Sequence, residues 1–255
     1  MSAASRGRLC AVVLAAAAVA CGGDSTGPTS DQPATLSQAL AELTIPALAV
    51  GGPSLVDFDI PAASFDPTTC SFSTTAESFF CAPISEGGIT IKPRFTLLTA
   101  SNARQSAFDP ASTASVRVNT SLAGTLVEQG SSLALNGDQE TTLSGLLSGP
   151  HVLDGVSRIV IAGTVADETT TYPVDIRVNT SILNLVLPAN EAGSARVWPT
   201  SGTIVGDING TFGPVPVTQR TTISFNGTSQ ALVHVSSGFQ SKSCKVDLAV
   251  APAVC

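Results

Sequence analysis

Between residues 169 and 187 lies a stretch of apolar and polar alternation. Ile176, Val178, Thr180 and Ile182 fall on one side at period two, and Asp175, Arg177, Asn179 and Ser181 on the other. That alternation, dominated by β-branched residues, predicts a half-buried antiparallel strand. Its middle, RVNTS at 177–181, recurs verbatim at 117–121, with Val116, Val118, Thr120 and Leu122 on the matching apolar face. Similar texture predicts strands over 55–60, 88–99, 113–127, 132–136, 141–147, 156–166, 195–198, 202–211, 215–225, 229–235 and 243–250. Pro93 cannot donate to a ladder, so its strand should lie at an edge or be bulged there. Asn226-Gly227 is the strongest hairpin signal in the chain.

Only residues 35–48 carry a helical pattern, with Leu36, Leu40 and Leu43 spaced at i, i+4 and i+7 and Pro46 as terminator. The expected short N-terminal helix, near 35–46, would pack on the sheet or close one end of a barrel. No helical crossover separates the strands, which argues against parallel βαβ units. The expected fold class is all-β, an antiparallel β-meander forming a sandwich or an open or closed barrel. The order of turn residues leaves that choice open. Residues 35–255 read as a single β-rich domain.

Composition narrows the class. Of 255 residues, 43% are hydrophobic and only 12% charged, which supplies a core and argues against disorder. The formal net charge is −7 and there is no run of Lys or Arg. Such a chain is poorly suited to phosphate backbones, so no nucleic-acid partner is expected. Nor should it adhere to anionic lipid by charge.

The first thirty residues have another character. Arg6 and Arg8 precede an apolar run from Cys10 to Ala20, about half the ~20 residues needed to span a bilayer as a helix. This reads as a signal peptide over 1–20. Ala18-Val19-Ala20-Cys21, followed by a Gly/Ser/Thr/Pro-rich linker over 21–34, resembles the lipobox and tether of bacterial lipoproteins. The resemblance implies that Cys21 is acylated and becomes the new N-terminus, making a membrane the first partner. Gly22 after the cysteine, rather than Asp, implies the outer membrane of the envelope. Ala18 stands where that family most often has Leu, and Ala18-Val19-Ala20 also satisfies ordinary signal cleavage.

With Cys10 in the signal and Cys21 assigned to lipid, Cys70, Cys81, Cys244 and Cys255 remain. An even remainder in an exported chain suggests two disulfides, with three pairings to choose from. A turn over 74–77 would set Cys70 facing Cys81 and Phe72 facing Phe79, which favours Cys70–Cys81 and leaves Cys244 with Cys255. A four-cysteine metal site lacks its usual ligand spacing.

Chemistry-bearing candidates are sparse. His151 and Asp154 form a His-x-x-Asp pair beside Gly149-Pro150, able in principle to bind a metal or relay a proton. Asp57 and Asp59 share a strand face, and acidic pairs serve glycoside hydrolysis. Residues 136–140 (NGDQE) and 207–210 (DING) read as oxygen-rich turns that do not complete an EF-hand. His234 should face solvent, and no G-x-S-x-G elbow is present. No cofactor or metal is expected. The function these residues suggest is a lipid-anchored cell-envelope protein, a non-enzymatic binding or scaffold module whose partner is an apolar ligand or another envelope protein. The alternative is an envelope hydrolase using His151 and Asp154 or the Asp57/Asp59 carboxylates.

Overall fold

The computed structural model describes residues 69–128, 130–166, 170–187 and 198–247. The segments carrying the expected signal peptide, linker and helix lie outside them, as do Cys21, Asp57, Asp59, Cys255, the strand expected at 55–60 and residues 195–197 of that expected at 195–198.

Everything described is one antiparallel sheet of 13 strands. In chain order they are β1 (Ser71–Ser73), β2 (Ser78–Phe80), β3 (Ile84–Glu86), β4 (Ile89–Thr99), β5 (Arg104–Gln105), β6 (Thr113–Glu128) and β7 (Ser131–Ser144). They continue with β8 (His151–Ala166), β9 (Thr171–Leu187), β10 (Ser201–Phe212), β11 (Val215–Ser224), β12 (Gln230–Ser237) and β13 (Gln240–Asp247). From β6 onward each strand pairs with its sequence neighbour, which is the expected meander. The sheet is not closed. It nevertheless curls, because Phe79 and Cys81 near its beginning share one apolar cluster with Cys244 and Val246 near its end. The choice among sandwich, closed barrel and open barrel therefore falls to the open, curled form.

Glycines on the concave side permit the coiling. A Cβ on Gly137 would stand 2.4 Å from the Arg158 carbonyl oxygen. One on Gly210, at φ +157°, would stand 2.0 Å from that of Asp175. Only residues without a side chain let neighbouring strands approach this closely.

The N-terminal hairpin forms in the expected register. Phe72 faces Phe79 across the turn at 74–77, and Cys70 is bonded to Cys81. Phe79 stacks on Phe95 with ring centroids 4.5 Å apart, joining the hairpin to β4. Arg104 clips the turn from the far side, donating to the Ala76 carbonyl at 3.0 Å and lying 3.6 Å from the Glu77 carboxylate. Cys244 is also disulfide-bonded.

Pro93 proves informative. One side of β4 pairs with β6 along nearly its whole length, while the other is covered piecewise by β3, β2 and β5. Pro93 falls between the stretches covered by β3 and β2, its carbonyl accepting from Cys81 N–H. The N–H that proline lacks would point to the same side, into that break in the ladder.

Two sequence expectations need correction. Residues 132–136 and 141–147 were expected as two strands separated by an NGDQE turn, but β7 runs unbroken through 136–140. Residues 207–210 likewise lie inside β10 and not in a turn. Polar residues there reflect an exposed outer face rather than a reversal, since Asp138, Glu140 and Asp207 all point away from the core. The Asn226-Gly227 hairpin is present as expected, joining β11 to β12 through residues 225–229. Asn226 caps it, its carboxamide oxygen accepting from Thr228 N–H and hydroxyl.

Before β6 the chain is pinned by a compact polar knot. Thr113 is buried; its hydroxyl donates to Gln105 and accepts from Asp109 N–H. Hydrogen bonds from the Ser112 hydroxyl and Ala111 N–H hold the exposed Asp109 carboxyl below its ordinary pKa.

Candidate functional site

Strand pairing aligns the concave residues into rows across the sheet. One row runs Phe95, Val118, Thr141, Gly155, Ile182, Ile204, Ile223, Val233 and Cys244. Four residues further along the strands, another contains Ile91, Leu122, Gly137, Ile159, Val178 and Ile208. These rows belong to two separate apolar clusters.

Between them lies a third row of different chemistry. Pro93, Thr120, Gln139, Ser157, Thr180, Gly206, Thr221, Val235 and Lys242 follow one another from β4 to β13. Hydroxyl and carboxamide groups thus form a belt on the concave face, flanked by aliphatic residues on both sides. Two glutamines point along their own strands towards threonines on this face. Gln139 of the belt donates to the Thr141 hydroxyl at 3.1 Å, and Gln219, in the neighbouring row opposite Ile208, donates to Thr221 of the belt at 3.2 Å. Thr120, Gln139, Ser157 and Thr180 are half-buried and Thr221 is buried.

The belt gives the repeated pentapeptide a physical meaning. Thr120 and Thr180 are its fourth residues, and both occupy the same row. β6 and β9 run in opposite directions, so Val118 joins the cluster on one side of the belt and Val178 packs against that on the other. Arg117 and Arg177 are exposed, as the alternation predicts. The alternation holds until Leu183 and Asn184, where an irregularity shifts the phase. Leu185 and Leu187 then point inward and Leu183 outward.

Apart from Lys242 at the end of the belt, charged residues within the strands fall on the convex face. Lys92, Ser121, Asp138, Arg158, Asn179, Asp207 and Arg220 form one transverse row, with opposite signs facing each other at Asp138–Arg158 and Asp207–Arg220. The second pair closes to 3.5 Å. An exposed contact of this kind contributes ~0.2–1 kcal/mol, so it favours register more than overall stability.

The sequence-derived candidates do not converge. His151 is buried at the start of β8, in register with Leu187. Asp154 instead accepts a hydrogen bond from Asn184 N–H at 2.7 Å, holding the irregularity in β9 where Asn184 takes φ +47°. Strand alternation sets the two on opposite faces, so they cannot share a metal or a proton. Six residues separate His151 from Ser157 along β8, roughly 20 Å, too far for general-base activation of a belt hydroxyl. His234 is exposed and pairs with the Ser243 hydroxyl at 2.8 Å. Among the described residues no group of three or more His, Cys, Asp or Glu is placed to hold a metal.

Comparison with protein-family models, curated proteins and solved structures finds no match to this chain. The belt was not identified from sequence. Its one signal was the inward phase of Thr120 and Thr180 within the repeated segment. Pairing partners were needed to see that Gln139, Ser157 and Thr221 stand at the same height.

Proposed function

We propose that this protein is exported, anchored through acylated Cys21 to a cell-envelope membrane, with the outer membrane favoured, and serves there as a non-enzymatic binding or scaffold module. The observation that carries the binding reading is the concave face itself. Its aliphatic rows suit an apolar ligand, and the hydroxyl and carboxamide belt can both donate to and accept from one polar group on that ligand. Hydroxyls and carboxamides orient a ligand without exchanging protons at neutral pH, which favours holding over turnover. The alternative hydrolase reading loses its His151–Asp154 pair to opposite faces, and Asp57 and Asp59 lie outside the described residues.

Native mass spectrometry of the full chain purified from its own envelope tests the binding role. The expected result is a non-covalent apolar adduct beyond any acyl mass on Cys21. Its occupancy should fall at least several-fold in Thr180→Val, because the ligand's polar group then loses a partner inside an apolar setting. A bare chain, or an adduct indifferent to Thr180→Val, would reject ligand carriage by this face and leave the scaffold role.

A further inference from the structure

The strands end in two rims. One is formed by the β3–β4, β6–β7, β8–β9, β10–β11 and β12–β13 connections. It is uneven in character. The sequence puts Glu86, Glu128, Asp167 and Glu168 at the first three of these connections, while residues 208–219 contain no charge and 229–241 none apart from His234. The two uncharged hairpins are neighbours, tied where the Ser237 hydroxyl donates to the Thr218 carbonyl at 2.9 Å. Their tips present apolar side chains to solvent: Phe239 is fully exposed, Val215 57% and Phe212 39%. Tyr172 stacks on Phe212 with centroids 5.7 Å apart.

Single exposed apolar residues are ordinary. Two adjacent tips that concentrate them, in a charge-free stretch of an acidic chain, are not explained by packing within the domain. We infer that these tips are a membrane-contact surface, with a neutral lipid interface as their occupant. Separate protruding turns suit insertion among headgroups, where the apolar ring of a Phe or Tyr is favoured at the interfacial depth. Charge complementarity points the same way. The chain carries a net charge of −7, so anionic lipid would repel it, whereas an uncharged tip faces no such penalty at a neutral surface. The chain outside the described residues supplies the need for such a contact. The linker expected over 21–34 would span on the order of 20 Å as a coil, enough to leave the orientation of a tethered domain undetermined. The apolar tips would fix it, directing the β10–β13 side of this rim at the membrane and leaving the acidic side in water. This setting rests on the reading of Cys21 as an anchor, but the contact is tested without the anchor.

The full chain and its Cys21→Ser form are mixed with phosphatidylcholine vesicles, with and without phosphatidylglycerol. The Cys21→Ser chain is expected to float weakly with neutral vesicles and no better with anionic ones. Phe239→Ser, a change at a fully exposed side chain that leaves folding intact, should lower that binding about tenfold. In the full chain, Phe239→Trp should be quenched by brominated phosphatidylcholine beyond the Trp198 background, while Ser148→Trp on the opposite rim should not. Equal quenching at the two rims, or binding of the Cys21→Ser chain that ignores Phe239→Ser, would overturn the inference. So would sedimentation, without vesicles, showing a dimer that Phe239→Ser dissolves, because the tips would then meet a second copy. Loss of anchoring in Cys21→Ser with retained Phe239 dependence would separate this contact from the lipid on the cysteine.

Discussion

Phe95→Ala should lower the unfolding free energy by ~3–5 kcal/mol, a large share of the ~5–15 kcal/mol typical of a domain. Phe95 is buried and stacks on Phe79, so truncation removes the β4 ring on which the N-terminal hairpin packs. It also stands directly opposite Val118, in the cluster to which β4 and β6 through β13 all contribute. The surrounding strands are tied by ladders on both sides and cannot collapse into the space, so the cavity cost adds to the lost transfer energy. Urea unfolding followed by circular dichroism measures it. A loss under ~1 kcal/mol would show that the hairpin does not pack on the sheet as described.

The second large effect concerns Cys70–Cys81. Replacing both with serine should cost ~2–4 kcal/mol, since the bond closes a short loop and narrows the unfolded ensemble. It also holds β1, a strand of only three residues, against β2. Without the bond, Phe72 and Phe79 must hold that hairpin alone, and an isolated hairpin is marginal in water. Non-reducing peptide mapping of the wild type should recover Cys70 and Cys81 in one cross-linked fragment. Unchanged stability in the double serine variant would mean that the hairpin is secured by Arg104 and the aromatic stack instead.

These two expectations mark how far the sequence could be read. The hairpin around 74–77 was legible because its turn, cysteines and phenylalanines are all local, so spacing alone fixed the register. β9 was legible because its alternation is long, and its bounds in the structure, Thr171–Leu187, agree with the expected strand. Residues 136–140 misled because asparagine, glycine and aspartate favour turns in isolation. In β7 a paired strand on each side outweighs that preference. His151 and Asp154 looked like a pair because three residues can converge in a loop or helix. On a strand the same interval turns them apart. The belt was least legible of all. Each strand contributes only one or two of its members, and their shared height depends on registers set by pairing between strands.

The membrane setting of the module follows from what happens at Cys21. The most direct measurement is the mass of the mature N-terminal peptide from protein extracted from the envelope, compared with the location of the Cys21→Ser variant. The account predicts a chain beginning at Cys21 with acyl groups attached, and release of Cys21→Ser from the membrane fraction. A mature chain whose Cys21 is unmodified, or a Cys21→Ser protein that stays with the membrane as fully as the wild type, would contradict it.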